Sequence, residues 1–300
     1  MKRKTGHCAR AYLAAGSDIG QNSCVTVCLA ALCRDDSTGA PRAVVSADRM
    51  VTLGGFMEFE HTVPKMASPS DSAIVMIAGD TLFGTRLASD VAANLRGTNP
   101  RTEDIALRLA TEYERTRQQV MEQQILAPRG LTLDAFYEKH ANLNPNVTMM
   151  IDQGLASFNF GVELLIAGVD DQGAHIYSVE NPGRPERKHD TIGYGAIGSG
   201  TPHALQAMIG FRHCETDSFK ETVFRVYAAK RRSEVAPGVG SDTDMAVISR
   251  SEVSWLSPET IAQLGAVYES FQDTTSSVLR KELDGLDLDS EERIDNGNPT

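Results

Sequence analysis

No apolar stretch of this 300-residue chain approaches the roughly 20 residues that a membrane-spanning helix needs, and the sequence predicts no transmembrane segment. Positive charge is in deficit too. Twenty-nine basic against 40 acidic residues leave a formal net charge of −11, with much of the excess acid between Glu282 and Asp295. That balance argues against a binder of nucleic acid or of anionic membranes. The Met-Lys-Arg-Lys start carries the charge of a secretory signal, but the apolar stretch behind it, 11–15, is too short for one, and the expected location is the cytoplasm. Cysteines are few and odd in number, at 8, 24, 28, 33 and 214, without the spacing of a disulfide framework. Alternation along a strand would not aim Cys24, Cys28 and Cys33 at one point, so they read as buried thiols rather than metal ligands. The seven histidines lack i, i+4 pairs and zinc-site spacing. No metal and no cofactor are expected.

What is present suits one large domain: 41% apolar residues, enough for a sizeable core. Residues 1–22 are polar and without periodicity, and 1–25 reads as a leader. Strands are expected at 26–33 and 43–49, and a continuous apolar run at 74–78 reads as a strand covered on both faces. A polar turn is expected between Lys65-Met66 and that run. Helical spacing follows over 82–95 and 102–126, with Asn99-Pro100 between them and Pro128-Arg-Gly130 as a stop. An irregular surface insertion is expected at 131–158. A hairpin at 162–179, a glycine-rich strand near 193–200, helices near 202–212 and 217–234, a hairpin at 245–255 and a closing helix at 258–283 complete the domain, taken as 26–285. The acidic tail at 286–300 reads as disordered. Strands that cluster between helix pairs predict an α+β fold, two facing antiparallel sheets with helices outside, a four-layer αββα sandwich.

The chemistry sits at the start of the first strand. Thr26 opens it, Asp48 stands near the end of the second strand, and Lys65 follows further on. A hydroxyl, a carboxylate and an amine are thereby placed to converge. Threonine is a poor nucleophile until something removes its proton, and its own α-amino group can do so if the chain is cut just before it.

The strings Thr26-Val-Cys-Leu-Ala-Ala, Val45-Ser-Ala-Asp-Arg-Met-Val-Thr52, Pro64-Lys65-Met66, Ile77-Ala-Gly79, Glu163-Leu-Leu-Ile-Ala-Gly-Val169, Ile197-Gly-Ser-Gly-Thr-Pro202 and Asp244-Met-Ala-Val-Ile248 resemble, in order and spacing, the proteasome β-type subunits. Those are N-terminal-nucleophile hydrolases. The resemblance runs from about residue 24 to 250. It implies Thr26 as nucleophile, Asp48 as the catalytic strand-end carboxylate, Lys65 as the catalytic lysine, Gly79 as the oxyanion-hole N–H, and Ser199 as the active-site serine beside the amine. It also implies peptide or protein substrates, a homo-oligomeric ring and an unfoldase partner. Shifting the start by two residues makes Cys24 the alternative nucleophile. The family's further aspartate has no counterpart over 234–241, where Glu234 is the nearest acid and Ala236 or a neighbour fills the place, and Val25 stands where precursors carry glycine.

Other readings remain open at this level. Asp48-Arg49 suits a surface ion pair and Lys65 a solvated turn. The chain also suits a catalytically inactive ring-forming or scaffold subunit of the same fold. Gly193-Tyr-Gly-Ala-Ile-Gly198 matches the dinucleotide-binding fingerprint, although no buried strand precedes it and no acid-ended strand follows.

Overall fold

Between Val27 and Leu32 every side chain is apolar or a thiol, so a strand there offers neither face to water. A computed structural model of the chain, describing residues 26–53, 57–62, 64–95, 98, 100–184 and 186–286, covers both faces. Leu29, Ala31 and Cys33 of β1 (Cys28–Arg34) meet helices, while Cys28, Ala30 and Leu32 meet a second sheet. In chain order the other elements are β2 (Pro41–Asp48), β3 (Met50–Leu53), β4 (Met57–Glu60), β5 (Met66–Ser70), β6 (Ala73–Gly79), α1 (Thr81–Leu95), α2 (Thr102–Met121), α3 (Leu133–Lys139), α4 (Pro145–Ser157), β7 (Val162–Val169), β8 (Ala174–Val179), β9 (Arg187–Lys188), β10 (Tyr194–Ile197), α5 (Thr201–Gly210), α6 (Phe219–Ser233), β11 (Thr243–Ile248), β12 (Val253–Trp255) and α7 (Pro258–Leu283).

One antiparallel sheet has the order β10-β1-β2-β11-β12 and the other β5-β6-β7-β8-β9. Period-two alternation sorts the side chains of each strand between two layers. In β6, Ile74, Met76 and Ala78 fill the space between the sheets, and Val75 and Ile77 pack on α1 and α2. On the far side Val44, Met245 and the odd residues of β1 pack on α5 and α6. Burying a side chain the size of Leu29 or Ile74 contributes about 1.5–3 kcal/mol, and three such layers stack one on the next. The result is an α+β four-layer αββα sandwich, the architecture of N-terminal-nucleophile hydrolases, as the element order predicts.

Several local expectations need correction. The polar turn expected between Lys65-Met66 and the run at 74–78 is largely taken up by β5, an edge strand that tolerates Pro69 because its outer side needs no N–H donor. The expected irregular stretch at 131–158 contains α3 and α4, whose Phe136, Ile151 and Leu155 form a satellite core with Met121 and Leu126. Thr132 and Asn144 cap those helices by accepting the N–H of Ala135 and Asn146. The second helix is α-helical only to Met121, widens over Glu122–Leu126 and stops at Gly130, whose φ of +67° favours glycine. The hairpin β3–β4 was not expected from the sequence. The leader expected at 1–25, and all but the first residue of the tail expected at 286–300, lie outside the described residues. Among the described residues no helix is long and apolar enough to cross a membrane.

The fingerprint glycines lie in the wrong structure for a dinucleotide. They run through β10, antiparallel to β1 with Gly195 opposite Ala30. A phosphate cradle needs a parallel strand turning straight into a helix N-terminus, and an antiparallel β10 does not provide one.

At the far end of the sandwich, the hairpin β7–β8 is braced by His175. Its Nδ1 lies 2.6 Å from Asp190 and its Nε2 3.3 Å from Asp170. The hydrogen bond to Asp190 raises the imidazole pKa above its usual value, against the opposing effect of burial. A group whose folded pKa is raised stabilises the fold fully below its unfolded pKa, and that contribution fades as pH rises through the folded value. Melting curves from pH 6 to 9 should therefore fall more steeply for the parent than for His175→Gln; parallel curves would refute it.

Candidate active site

The register of the first hairpin brings Thr26 and Asp48 together. Cys28 pairs with Ala47, so the residues just before β1 face the end of β2, and the Asp48 N–H donates to the Val27 carbonyl at 3.2 Å. The turn that sets this register is held by Asp35, whose Oδ1 accepts the N–H groups of Ser37 and Thr38. Lys65 arrives from the other sheet. It sits immediately before β5, and its carbonyl accepts the Ile77 N–H of β6 at 3.0 Å. Its side chain crosses the gap between the sheets and is 4% exposed, so it is not a solvated turn residue.

At the meeting point the Thr26 hydroxyl donates to Asp48 Oδ1 and accepts from Lys65 Nζ. Lys65 Nζ also lies 3.2 and 3.3 Å from the two Asp48 oxygens. Thr26 and Asp48 are both fully buried. A buried carboxylate needs several donors to replace water. Asp48 has them in the backbone N–H groups of Val27 at 2.9 Å, Met50 at 2.9 Å and Gly240 at 3.1 Å. The neighbouring Arg49 is not its partner. Arg49 forms a fork with Asp244, Nε to Oδ2 at 2.9 Å and Nη2 to Oδ1 at 2.5 Å.

Ser199, in the turn between β10 and α5, contacts the other end of Thr26. Its Oγ accepts the Thr26 N–H at 3.3 Å. The one Ser199 hydroxyl proton lies within reach of two acceptors, the Pro237 carbonyl at 3.1 Å and the Thr26 carbonyl at 3.3 Å, and the latter also receives the Gly200 N–H at 3.0 Å. Glu234, the acid nearest to the place of the family's further aspartate, forms ion pairs with Lys230 and Arg231. Ala236 packs into the core beside Val239.

The turn that carries Ser199 requires glycine at 198. Its φ is +90°, and a Cβ there would lie 2.4 Å from the Thr26 carbonyl oxygen and 2.8 Å from Thr26 Cγ2. The Gly198 N–H donates to Glu163 Oε2 at 2.8 Å, which ties the turn to the opposite sheet. Gly198→Ala should cost about 1–3 kcal/mol, seen as a lower urea midpoint at unchanged slope. An unshifted midpoint would show the turn has slack.

Gly79 closes β6 two residues beyond Ile77, with φ +87°. Asp80 then caps α1 by accepting the N–H groups of Leu82 and Phe83 at 3.0 and 3.1 Å. Cys28, one turn of the strand from Thr26, donates its thiol to the Ile77 carbonyl at 3.6 Å. Burial pushes its pKa well above the ordinary thiol value, so it is a packed thiol and no rival nucleophile at neutral pH. Cys24, the alternative nucleophile of the shifted register, lies outside the described residues.

Thr26, Asp48, Lys65 and Ser199 thus share one site built from both sheets. Sequence reasoning missed Gly240 and Met50, which serve through backbone N–H groups, and Glu163, which reaches the site only across the sheet gap. A serine, a threonine and an ion pair in this arrangement can activate a hydroxyl and stabilise the negative charge it acquires. No family model matches the chain. It is distantly similar to the proteasome subunit beta type-2 of Saccharomyces cerevisiae, 23% identical over 257 residues, a span of 79% of this chain and 93% of that protein.

Proposed function

We propose that this chain is a proteasome-like threonine peptidase, which frees Thr26 by self-processing and cleaves peptide bonds through an acyl-enzyme on the Thr26 oxygen. The observation that carries the reading is the Thr26 hydroxyl held between the Lys65 ammonium and the Asp48 carboxylate. In processing, Thr26 Oγ attacks the carbonyl carbon of Val25, the peptide nitrogen leaves with the hydroxyl proton, and water hydrolyses the ester that results. Thr26 then carries a free α-amino group beside Ser199 Oγ.

In turnover that amine takes the hydroxyl proton as Oγ attacks the substrate carbonyl. Lys65 stabilises the developing alkoxide, and Asp48 keeps the ammonium in place. Gly79 supplies an N–H to the tetrahedral oxyanion. The amine returns its proton to the departing peptide nitrogen, and water releases the acyl group. As the resemblance to proteasome β-type subunits implies, the chain assembles into a homo-oligomeric ring in the cytoplasm and receives protein substrates from an unfoldase partner.

A catalytically inactive ring-forming or scaffold subunit is the second reading. It is favoured by the absence of the family's further aspartate over 234–241, where Ser199 meets the Pro237 carbonyl. Intact-mass measurement of the purified full-length chain separates the two. The enzyme reading expects loss of residues 1–25, a Thr26 N-terminus and hydrolysis of peptide amides. A full-length product without hydrolysis favours the scaffold, and a Cys24 N-terminus moves the nucleophile there.

A further inference from the structure

A fully buried lysine is costly unless every proton of its ammonium finds an acceptor. Lys230 on α6 has no exposed surface, and its Nζ has three acceptors, Glu234 Oε1, the Gly240 carbonyl and the Ser241 carbonyl, each at 2.8 Å. Burial pulls its pKa down, while Glu234 and, more weakly, Asp48 work to raise it.

Two of those bonds go to consecutive peptide groups, and the same two groups are held from the opposite side. Glu60 Oε1 on β4 accepts the Ser241 N–H at 2.8 Å and the Asp242 N–H at 3.3 Å. The Gly240 carbonyl and the Ser241 N–H belong to one peptide plane, as do the Ser241 carbonyl and the Asp242 N–H. Each plane therefore has a cation at its oxygen and a carboxylate at its hydrogen. The clamp is tight: a Cβ on Gly240 would lie 2.3 Å from Glu60 Oε1. Fixing those planes fixes the residue before them, whose N–H donates to Asp48 Oδ2 at 3.1 Å.

We propose that Lys230 is a positioning residue for the Thr26–Asp48–Lys65 site. With Glu60 as the opposing anchor it locks the Gly240–Ser241 turn, and through the Gly240 N–H it fixes the Asp48 carboxylate. The proposal rests on the hydrolase reading for its catalytic consequence, but its structural content stands apart from it. Neither residue touches Thr26, so neither is catalytic.

The test measures amide hydrogen exchange and peptide hydrolysis on the full-length chain. Lys230→Met should speed exchange at the Gly240 amide by about tenfold or more relative to Leu165, an amide of the central strand β7 that reports global opening. It should lower kcat about tenfold with KM within about twofold, because turn and carboxylate act on chemistry rather than on substrate binding. Glu60→Ala loosens the same turn from its exposed side, leaves the interior intact, and should produce the same split at smaller amplitude, which keeps the test decisive if Lys230→Met does not fold. Gly240 exchange that rises only in step with Leu165, or stays unchanged in Glu60→Ala, overturns the proposal. Faster Gly240 exchange in the variants, alongside a parent protein that shows no hydrolysis, would uphold the clamp and remove the hydrolase reading instead.

Discussion

Thr26→Ala should yield a chain that keeps its leader and hydrolyses peptide amides at least about a thousandfold more slowly than the parent, as removal of a nucleophile does elsewhere. The same oxygen is proposed for both reactions, so the two losses must go together. The fold should survive, because the substitution deletes one hydroxyl and one methyl at the edge of β1 and leaves the Asp48–Lys65 pair intact. Thr26→Ser is the control. It keeps the oxygen between Lys65 and Asp48 and drops only the Cγ2 methyl that packs against Gly198, so processing and some turnover should remain. Mass spectrometry and initial rates on the three proteins suffice. Processing or turnover that persists in Thr26→Ala would remove Thr26 from the mechanism and direct attention to Cys24.

Breaking the buried ion pair should cost stability as well as activity. Lys65→Met leaves the Asp48 carboxylate without its cation, and an uncompensated buried charge typically costs about 3–5 kcal/mol. Three backbone N–H groups still hold that carboxylate, so the lower end applies. Asp48→Asn should be worse. Any orientation of its amide presents an NH2 group to donors that the carboxylate satisfied, either Val27 and Lys65 or Met50 and Gly240. The double variant should cost less than the sum of the singles, since the remaining charge then disappears with its partner. Urea unfolding of the four proteins decides it. Strictly additive losses, each below about 1 kcal/mol, would mean the pair carries no more than an exposed one.

The sequence discloses those parts of the molecule that depend on local pattern. The hairpin β7–β8 is expected over 162–169 and 174–179 and forms over Val162–Val169 and Ala174–Val179. Its strands are continuous apolar runs, and Asp170-Asp-Gln-Gly173 announces the turn. The strand β5 was hidden because Pro69 and two serines look like a turn, and only distant pairing with β6 makes Met66–Ser70 extended. The helices α3 and α4 were hidden for another reason: their apolar residues serve a small satellite core and show no long stripe. Within the candidate site, Thr26, Asp48 and Lys65 were legible because a hydroxyl, a carboxylate and an amine show their chemical character in the residue type itself. The role of Gly240 was not, since a backbone N–H has no signature in residue type. Lys230 resembles any helical lysine until its burial is known.

The nucleophile candidate and its cation belong to different layers. Thr26 and Asp48 ride on one sheet and Lys65 on the other, and the interior packed between them, Val45 and Met76 among it, helps to set their separation. That interior acts as a spacer for the chemistry. A substitution there that changes volume without unfolding the protein shifts the distance between the layers, and the hydroxyl and its ammonium are then the first groups to feel it.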